Sequence, residues 1–149
     1  FDLIAGIPIA AVPFASSLSD RLGVGQITPR IDIKTHGSGA RVDGLKEEDK
    51  GKRAVLIDDL VSFADSKIEA ANILREAGLI VNDVVVLMDY ELGGREELQK
   101  NGLTLHNAFT SGQMLAFSLR AGRISPNTLD EVQQRFNRAQ IYFKEHLST

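Results

Sequence analysis

Cysteine and tryptophan are both absent from the 149 residues of the chain. Without cysteine the chain forms neither a disulfide bond nor a thiolate metal site, and this composition is compatible with a reducing cytoplasm. No run of about 18 apolar residues is present, so the sequence predicts no membrane span, and its first residues do not have the pattern of a signal peptide. Basic residues do not outnumber acidic ones, and the net charge of −3 argues against general nucleic-acid binding.

The residues that are present are typical of one globular domain spanning 1–149. Hydrophobic residues make up 43% and charged residues 25% of the chain, which are ordinary values, and the length is sufficient for one buried core. We find no internal repeat and no low-complexity tract. The first residue is Phe1 rather than methionine, so we expect the chain to be a processed, trimmed or excised piece.

The segment 53–74 organises the rest of the chain. Its apolar, β-branched residues 54–57 predict a strand buried on both faces, and two adjacent carboxylates, Asp58 and Asp59, follow directly. A turn of small and polar residues leads into a helix that ends at Gly78. In a parallel α/β sheet, ligands bind beyond the carboxyl ends of the strands, where a helix N-terminus also presents free amides. This pattern suits a sugar phosphate. The alternative is that one aspartate only caps a turn.

Strands and helices alternate along the rest of the chain, which predicts an α/β fold with a mostly parallel sheet. A helix is predicted to begin near Val12, with Pro13 in its first turn. Phe14, Leu18 and Leu22 form one apolar stripe of this helix and are predicted to pack inward. Further strands are predicted at 2–7, 26–28, 81–88 and 103–108, and further helices at 96–101, 113–121 and 126–143.

Residues 31–44 have neither helical nor strand periodicity and are rich in Gly, Ser, Lys, Arg and Asp. This composition predicts a mobile loop. Above a phosphate site, such a loop can close, exclude water and bring cations to a departing anion. Lys34, His36 and Arg41 are candidates for that role. The alternative is a solvated loop whose cations have no ligand.

Several segments resemble one enzyme family. Residues 55–60, followed by a short turn and a helix, resemble the phosphoribosyl diphosphate motif of the type I phosphoribosyltransferases. The segments 1–8, 29–44 and 83–110 are similar to orotate phosphoribosyltransferase, in the same order along nearly the whole chain. The resemblance implies a three-layer α/β fold with a mostly parallel central sheet and helices on both faces. It also implies that the amino-terminal hood region of the family is missing from this chain.

The resemblance implies an activity as well. The family transfers the phosphoribosyl group of phosphoribosyl diphosphate to orotate, giving orotidylate and diphosphate in pyrimidine nucleotide biosynthesis. By this resemblance Asp58 and Asp59 contact the ribose and face the developing positive charge, whereas Lys34 and His36 neutralise the diphosphate. The required Mg²⁺ is held mainly by the substrate, so no metal ligands are assigned in the protein. The family's loop exchange implies a homodimer, in which 31–44 reaches the neighbouring subunit.

Further substrate-binding residues follow from the same match. They belong to a diphosphate loop after the first strand, to the start of the mobile loop, to a turn that holds the 5-phosphate, and to the base site after the strand at 81–88. In this chain they are Gly6, Ile7, Arg30, Ser62, Phe63, Ala64, Asp65, Ser66, Lys67 and Tyr90.

Three ligand-facing positions depart from the family pattern. Ile31 stands where a lysine is common, Asp65 where the phosphate turn has a small residue, and Tyr90 where an arginine contacts the orotate carboxylate. As an N-cap, Asp65 would occupy the amides that a phosphate requires. If its carboxylate pointed inward, two like charges about 4 Å apart at an effective dielectric of about 20 would repel by about 4 kcal/mol.

Three hypotheses therefore stay open. The chain is an orotate phosphoribosyltransferase, or it transfers phosphoribosyl to another, uncharged base. Alternatively, it is a catalytically impaired phosphoribosyltransferase-like module that binds a ligand or has a structural role, as part of a larger bifunctional protein. Turnover with orotate distinguishes the first hypothesis, and calorimetric titration with phosphoribosyl diphosphate separates a binding module from a structural one.

Overall fold

Strands and helices alternate along the chain as predicted. The computed structural model describes residues 1–31 and 41–146, without the side chains of Lys144 and His146. The strands of this part are β1 (Leu3–Gly6), β2 (Gly25–Pro29), β3 (Val42–Asp43), β4 (Arg53–Val61), β5 (Ile80–Asp89) and β6 (Thr104–Thr110). The helices are α1 (Val12–Leu22), α2 (Asp65–Glu76), α3 (Gly94–Lys100), α4 (Ser111–Arg120) and α5 (Pro126–His146). None of these described helices has the length and apolar character needed to cross a bilayer.

The described strands form one sheet in the order β3-β2-β1-β4-β5-β6. Among them, only β3 is antiparallel to its neighbour. The units β1-α1-β2 and β4-α2-β5 proceed in opposite directions along the sheet, and because such crossovers are right-handed, their helices lie on opposite faces. The predicted α/β architecture is therefore confirmed. The parallel strands all end on the same side of the sheet, which we call the carboxyl edge.

One face of the sheet is covered by α2 and α3 and contains most of the buried apolar side chains. Leu56 on β4, Leu74 on α2 and Leu98 on α3 are completely buried. β4 is apolar from Ala54 to Ile57, as expected for a central strand that has neighbours on both sides. Burial of apolar surface contributes roughly 25 cal/mol per Å², so this face supplies the larger share of the hydrophobic stabilisation.

The opposite face has a smaller core against α1. Its buried residues are Ile4, Ala15, Val55 and Ile57. Helix α1 comes close to β1 because Gly6 has no side chain, and a Cβ added at Gly6 would lie 2.8 Å from the Cβ of Ala15. The small side chains at positions 6 and 15 therefore set the distance between the helix and the sheet.

The outer side of α1 does not pack against the core. Phe14, Leu18 and Leu22 are all exposed, so the predicted inward packing of this stripe is wrong. The close approach at Gly6 turns the small residue Ala15 toward the sheet, and the large apolar residues consequently face outward. The predicted start of the helix at Val12 is confirmed, with a proline in its first turn.

The two edges of the sheet differ in length. β3 has two residues and closes one edge, whereas β6 has seven residues and lies at the other. No other described strand pairs with the outer side of β6.

Some element boundaries differ from the prediction. β3 lies within the predicted mobile loop, where it pairs with β2, and α5 extends three residues beyond the predicted end at 143. β4 continues to Val61, so Asp58 and Asp59 lie inside the strand rather than after it. The strand is longer than its apolar run because β5 pairs with it as far as the partners Val61 and Asp89.

Candidate functional site

The connection from β4 to α2 places a helix N-terminus at the carboxyl edge of the sheet. Ala64 precedes the first residue of α2 and has a left-handed backbone conformation, with φ 81° and ψ −6°. No side chain caps the helix, and the amides of Lys67 and Ile68 donate to the carbonyl of Ala64. The first amides of a helix have no acceptor within it, so they are available to an anion.

Asp58 forms a buried ion pair next to this turn. Lys67 Nζ lies 2.6 Å from Asp58 Oδ2, and both side chains are 8% exposed. Asp58 Oδ1 accepts a hydrogen bond from the Asp59 amide at 2.9 Å. Burial raises the pKa of the Asp58 carboxyl, and Lys67 opposes that increase. The pair joins the first turn of α2 to β4, so Asp58 is not a free carboxylate.

Asp59 has different surroundings, because adjacent residues of a strand point to opposite faces of the sheet. Its half-buried side chain accepts a hydrogen bond from the Leu60 amide at 2.8 Å. It forms no ion pair with any residue in the described ranges 1–31 and 41–146. No group of three or more metal-ligating side chains occurs in those ranges. The sequence predicts two equivalent acids, whereas the structure leaves one of them, Asp59, without a cationic partner.

Asp65 is the first residue of α2 rather than its N-cap, and its side chain is exposed. It lies along a surface groove of about 320 Å³ that also contains Arg41, Glu69 and Glu76. The predicted capping by Asp65 is therefore wrong, because its carboxylate follows the outer side of the helix. The repulsion estimated for an inward-pointing carboxylate does not apply in this geometry. As an acid in the first turn, Asp65 instead interacts favourably with the helix dipole.

Helix α5 brings two aromatic rings to the loops at the carboxyl edge. Phe143 stacks on Phe63, with ring centroids 3.9 Å apart and an interplanar angle of 4°. Phe136 contacts Tyr90 edge-on, with centroids 6.0 Å apart. The family resemblance implies ligand contacts for Phe63 and Tyr90, but no contact with α5 is predicted from the sequence. The available signal was the seven-residue separation of the two phenylalanines, which places them on one side of a helix.

Part of the backbone of the predicted diphosphate loop after β1 is hydrogen-bonded within the protein. Ile7 is buried, and its amide donates to the carbonyl of Ile57 at 3.1 Å. Gly6 allows the close approach of α1. The Ile7 amide therefore already has an acceptor within the fold. Ile9, in the same loop, is 87% exposed.

Arg30 follows β2 and is paired with Asp43 on β3. The guanidinium donates through Nε at 2.8 Å and through Nη2 at 2.5 Å to the two carboxylate oxygens. These hydrogen bonds lower the pKa of Asp43 and raise the pKa of Arg30. Ile31 is half-buried and packs against the main core, which accounts for an apolar residue at this position. Of the three predicted cations of the mobile loop, Arg41 is paired with Glu76 at 3.1 Å, and Lys34 and His36 lie outside the described residues.

The carboxyl end of β5 carries a polar network that the sequence pattern did not indicate. The buried Asp89 accepts hydrogen bonds from Arg95 Nη2 at 3.0 Å and from the Glu91 amide at 2.8 Å. Glu91 Oε2 accepts hydrogen bonds from the Gly112 amide at 2.8 Å and from Ser111 Oγ at 3.1 Å, which lower the pKa of Glu91. A cavity of about 550 Å³ lies between this network and α5. The loop that carries Tyr90 is therefore tied to α3 and α4.

Curated relatives match most of this chain but extend well beyond it. No family model matches the chain. It is 37% identical over 125 residues to the bifunctional enzyme PyrF/PyrE of Nostoc sp., a match that covers 84% of this chain and 26% of that protein. It is 34% identical over 133 residues to the orotate phosphoribosyltransferase of Rhizobium etli, covering 89% of this chain and 57% of that protein. The chain thus spans about a quarter to three fifths of the length of these relatives.

Two solved structures share the arrangement of elements. The UMP synthase of Leishmania donovani superposes with a TM-score of 0.80 at 36% identity, and the match covers 93% of this chain and 29% of that one. The orotate phosphoribosyltransferase of Aeropyrum pernix superposes with a TM-score of 0.71 at 26% identity, covering 83% of this chain and 67% of that one. Both similarities extend over more than four fifths of the chain.

Proposed function

Because the chain belongs by homology to the orotate phosphoribosyltransferases and has the type I phosphoribosyltransferase fold, we propose that it transfers phosphoribosyl from phosphoribosyl diphosphate to orotate. The observation that carries this proposal is the β4–α2 connection, where an uncapped helix N-terminus follows a strand with a free carboxylate. The amides and the positive end of the helix dipole suit the 5-phosphate. The carboxylate suits the ribose hydroxyls, which donate hydrogen bonds to it.

Asp59 is the acid that we assign to the ribose. In the reaction, the bond between the anomeric carbon and the diphosphate oxygen breaks, and a bond from that carbon to a ring nitrogen of the base forms. A carboxylate near the anomeric carbon stabilises the positive charge that develops in between. Asp58 acts indirectly in this proposal, because its pair with Lys67 fixes the first turn of α2 and therefore the amides that face the phosphate.

Cations complete the proposed site. Mg²⁺ would neutralise the diphosphate when bound, and it commonly binds through substrate oxygens, water and only one or two carboxylates. The carboxylate of Asp59 fits such an ion, directly or through water, because no lysine or arginine in the described ranges is paired with it. We assign Lys34 and His36 to the leaving diphosphate, following the family resemblance.

A second candidate function is binding of phosphoribosyl diphosphate with little turnover, or transfer to a base that has no carboxylate. Two observations favour it. Asp58 is engaged with Lys67, and Tyr90, in place of an arginine, has its ring against Phe136. A phenol forms a neutral hydrogen bond to a carboxylate, and neutral bonds are about half as strong as charge-assisted ones.

The test is incubation of the chain with phosphoribosyl diphosphate, Mg²⁺ and orotate, with chromatographic detection of orotidylate. Uracil and adenine are offered in parallel as uncharged acceptors. Orotidylate formation that is lost in the Asp59→Asn variant supports the first proposal. Binding of phosphoribosyl diphosphate in calorimetry without product from any base supports the second. Absence of both binding and product contradicts the two together.

We also propose that the protein is a cytoplasmic homodimer in which the segment with Lys34 and His36 reaches the neighbouring site. The exposed stripe of Phe14, Leu18 and Leu22 supports an interface on α1, because contiguous exposed apolar residues often mark association surfaces. The partial coverage of the relatives supports a place within a larger polypeptide. Light scattering tests the dimer, which Leu18→Glu should dissociate.

A further inference from the structure

One face of α5 contacts the loops at the ends of both β4 and β5. Phe136, Gln140 and Phe143 lie on this face, because residues at i, i+4 and i+7 of a helix share one side. The two phenylalanines contact the aromatic side chains of the two loops, as described above. Gln140 Nε2 donates a hydrogen bond to the carbonyl of Glu91 at 2.6 Å. The helix therefore bridges the phosphate turn and the proposed base site.

Each of these loops contains a residue in an unfavourable backbone conformation. Among the described residues, Ala64 with φ 81° and Glu91 with φ 59° are the two non-glycine residues with positive φ. This conformation crowds the Cβ atom against the neighbouring carbonyl and persists where surrounding contacts hold it. Ala64 directly follows Phe63, and the carbonyl of Glu91 is the acceptor of the Gln140 bond. The contacts of α5 thus fall at or next to both left-handed residues.

We propose that α5 is a strap that holds the turn 62–67 in its phosphate-binding conformation, and that Phe143 is a positioning residue for this turn. The amides of the turn face an anion only while Ala64 keeps its left-handed conformation, because Ala64 sets the direction in which α2 begins. An aromatic pair shifts an equilibrium by roughly 2- to 12-fold. The stack of Phe143 on Phe63 therefore biases the turn toward the conformation that binds. The identity of the ligand, phosphoribosyl diphosphate, rests on the proposed function.

Hydrogen–deuterium exchange tests the strap without any ligand. In Phe143→Ala, the amides of Lys67 and Ile68, which donate to the carbonyl of Ala64, should exchange at least about fivefold faster than in the wild type, an effect within the range expected for loss of one aromatic pair. The matched control is Ile141→Ala, an exposed apolar residue of the same helix turn, which should change nothing. The amides of Val84 and Val86 in the core report that the fold is intact. Equal exchange at Lys67 and Ile68 in the two variants overturns the proposal.

Ligand affinity provides the second measurement. With Mg²⁺ present, Phe143→Ala should weaken the binding of phosphoribosyl diphosphate by roughly 5- to 10-fold, and Phe143→Tyr should restore it to within about twofold. In turnover, KM for this substrate should rise while kcat stays nearly constant. A change in kcat alone contradicts the positioning role. If the wild type binds no phosphoribosyl diphosphate, the proposed function fails, and the exchange measurement still decides whether α5 holds the turn.

A spectroscopic variant keeps the proposal testable if Phe143→Ala does not fold. The chain has no tryptophan, so Phe143→Trp places a single tryptophan, which can be excited selectively over the tyrosines, at the contact with Phe63. Adding Phe63→Leu in that background should shift the emission to longer wavelength, because the indole loses its stacking partner. The same emission in both variants shows that the ring at 143 does not contact the turn.

Discussion

The face of the sheet under α2 and the face under α1 are built from similar apolar residues but are covered to different extents. Leu74 on α2 is 0% exposed, whereas Leu22 on α1 is 55% exposed. The paired acids follow the same division. Asp58 is buried with Lys67 on the α2 side, and Asp59 points to the other side with no cationic partner in the described ranges. The covered face therefore determines stability, and the open face leaves groups for ligands and partner chains.

The largest effect is expected from breaking the ion pair of the covered face. Lys67→Met should lower the free energy of unfolding by about 3 to 5 kcal/mol, because it leaves the Asp58 carboxylate buried without a partner. Urea denaturation measures this change. The double variant Asp58→Asn with Lys67→Met should recover most of the loss, since it removes both charges. A single variant as stable as the wild type would show that the pair does not hold α2 to β4.

A matched pair of leucine substitutions compares the two faces directly. Leu74→Ala should cost about 3 kcal/mol of unfolding free energy, because it opens a cavity in a packed core. Leu22→Ala removes the same atoms from an exposed position and should change the unfolding free energy by less than about 1 kcal/mol. Both values come from urea denaturation at a protein concentration where the chain is monomeric. Equal costs would remove the distinction between the faces.

The open side of β4 should matter for chemistry rather than for folding. Asp59→Asn should reduce phosphoribosyl transfer by roughly a hundredfold or more, a typical loss for one group that stabilises transition-state charge. The same variant should change the unfolding free energy by no more than about 0.5 kcal/mol, because it removes no ion pair. Steady-state kinetics and denaturation on one preparation measure both. A large loss of stability with full activity would contradict this division of roles.

The smallest effects are expected in the pH dependence of stability. The raised pKa of Asp58 means that, as pH falls, the folded state binds this proton before the unfolded state does. The contribution of Asp58 to the unfolding free energy therefore increases as pH falls through the raised pKa toward the ordinary aspartate value of about 4. The lowered pKa of Glu91 acts oppositely, and its stabilisation is lost below about pH 4. Urea midpoints against pH should separate the two groups when the wild type is compared with Asp58→Asn and with Glu91→Gln. Parallel curves would refute both assignments.

The sequence was sufficient to predict the order of the helices and of the five parallel strands, because a strand that is buried on both faces has a continuous run of apolar residues. The short strand β3 was not predicted. The sequence was also not sufficient to predict the directions of side chains near the start of a helix, because these directions change when the helix begins one residue earlier or later. Asp65 was expected to cap α2, but the helix begins at that residue and its side chain consequently points outward. Because α2 begins at Asp65, the side chain of Lys67 lies next to that of Asp58. These contacts depend on packing geometry rather than on residue type.

Local sequence patterns did not predict the contacts between segments that are far apart in the sequence. Phe63 and Phe143 are 80 positions apart in the sequence, and nothing in the periodicity of α5 shows which surface its apolar side meets. Gly6 illustrates the converse case. Its position in a predicted phosphate loop suggested a ligand contact, whereas the distance to Ala15 gives a packing reason for the glycine.

The unequal edges of the sheet bear on how the isolated chain behaves at high concentration. The edge strand β6 spans Thr104–Thr110, and neither lysine nor proline interrupts its seven residues. Natural proteins usually protect long edge strands with such residues, because bare backbone groups recruit strands from other molecules. Edge-to-edge association through β6 would then limit the protein concentration that can be reached for crystallisation or NMR. One lysine at an outward position of β6 should raise the solubility without touching the ligand pocket.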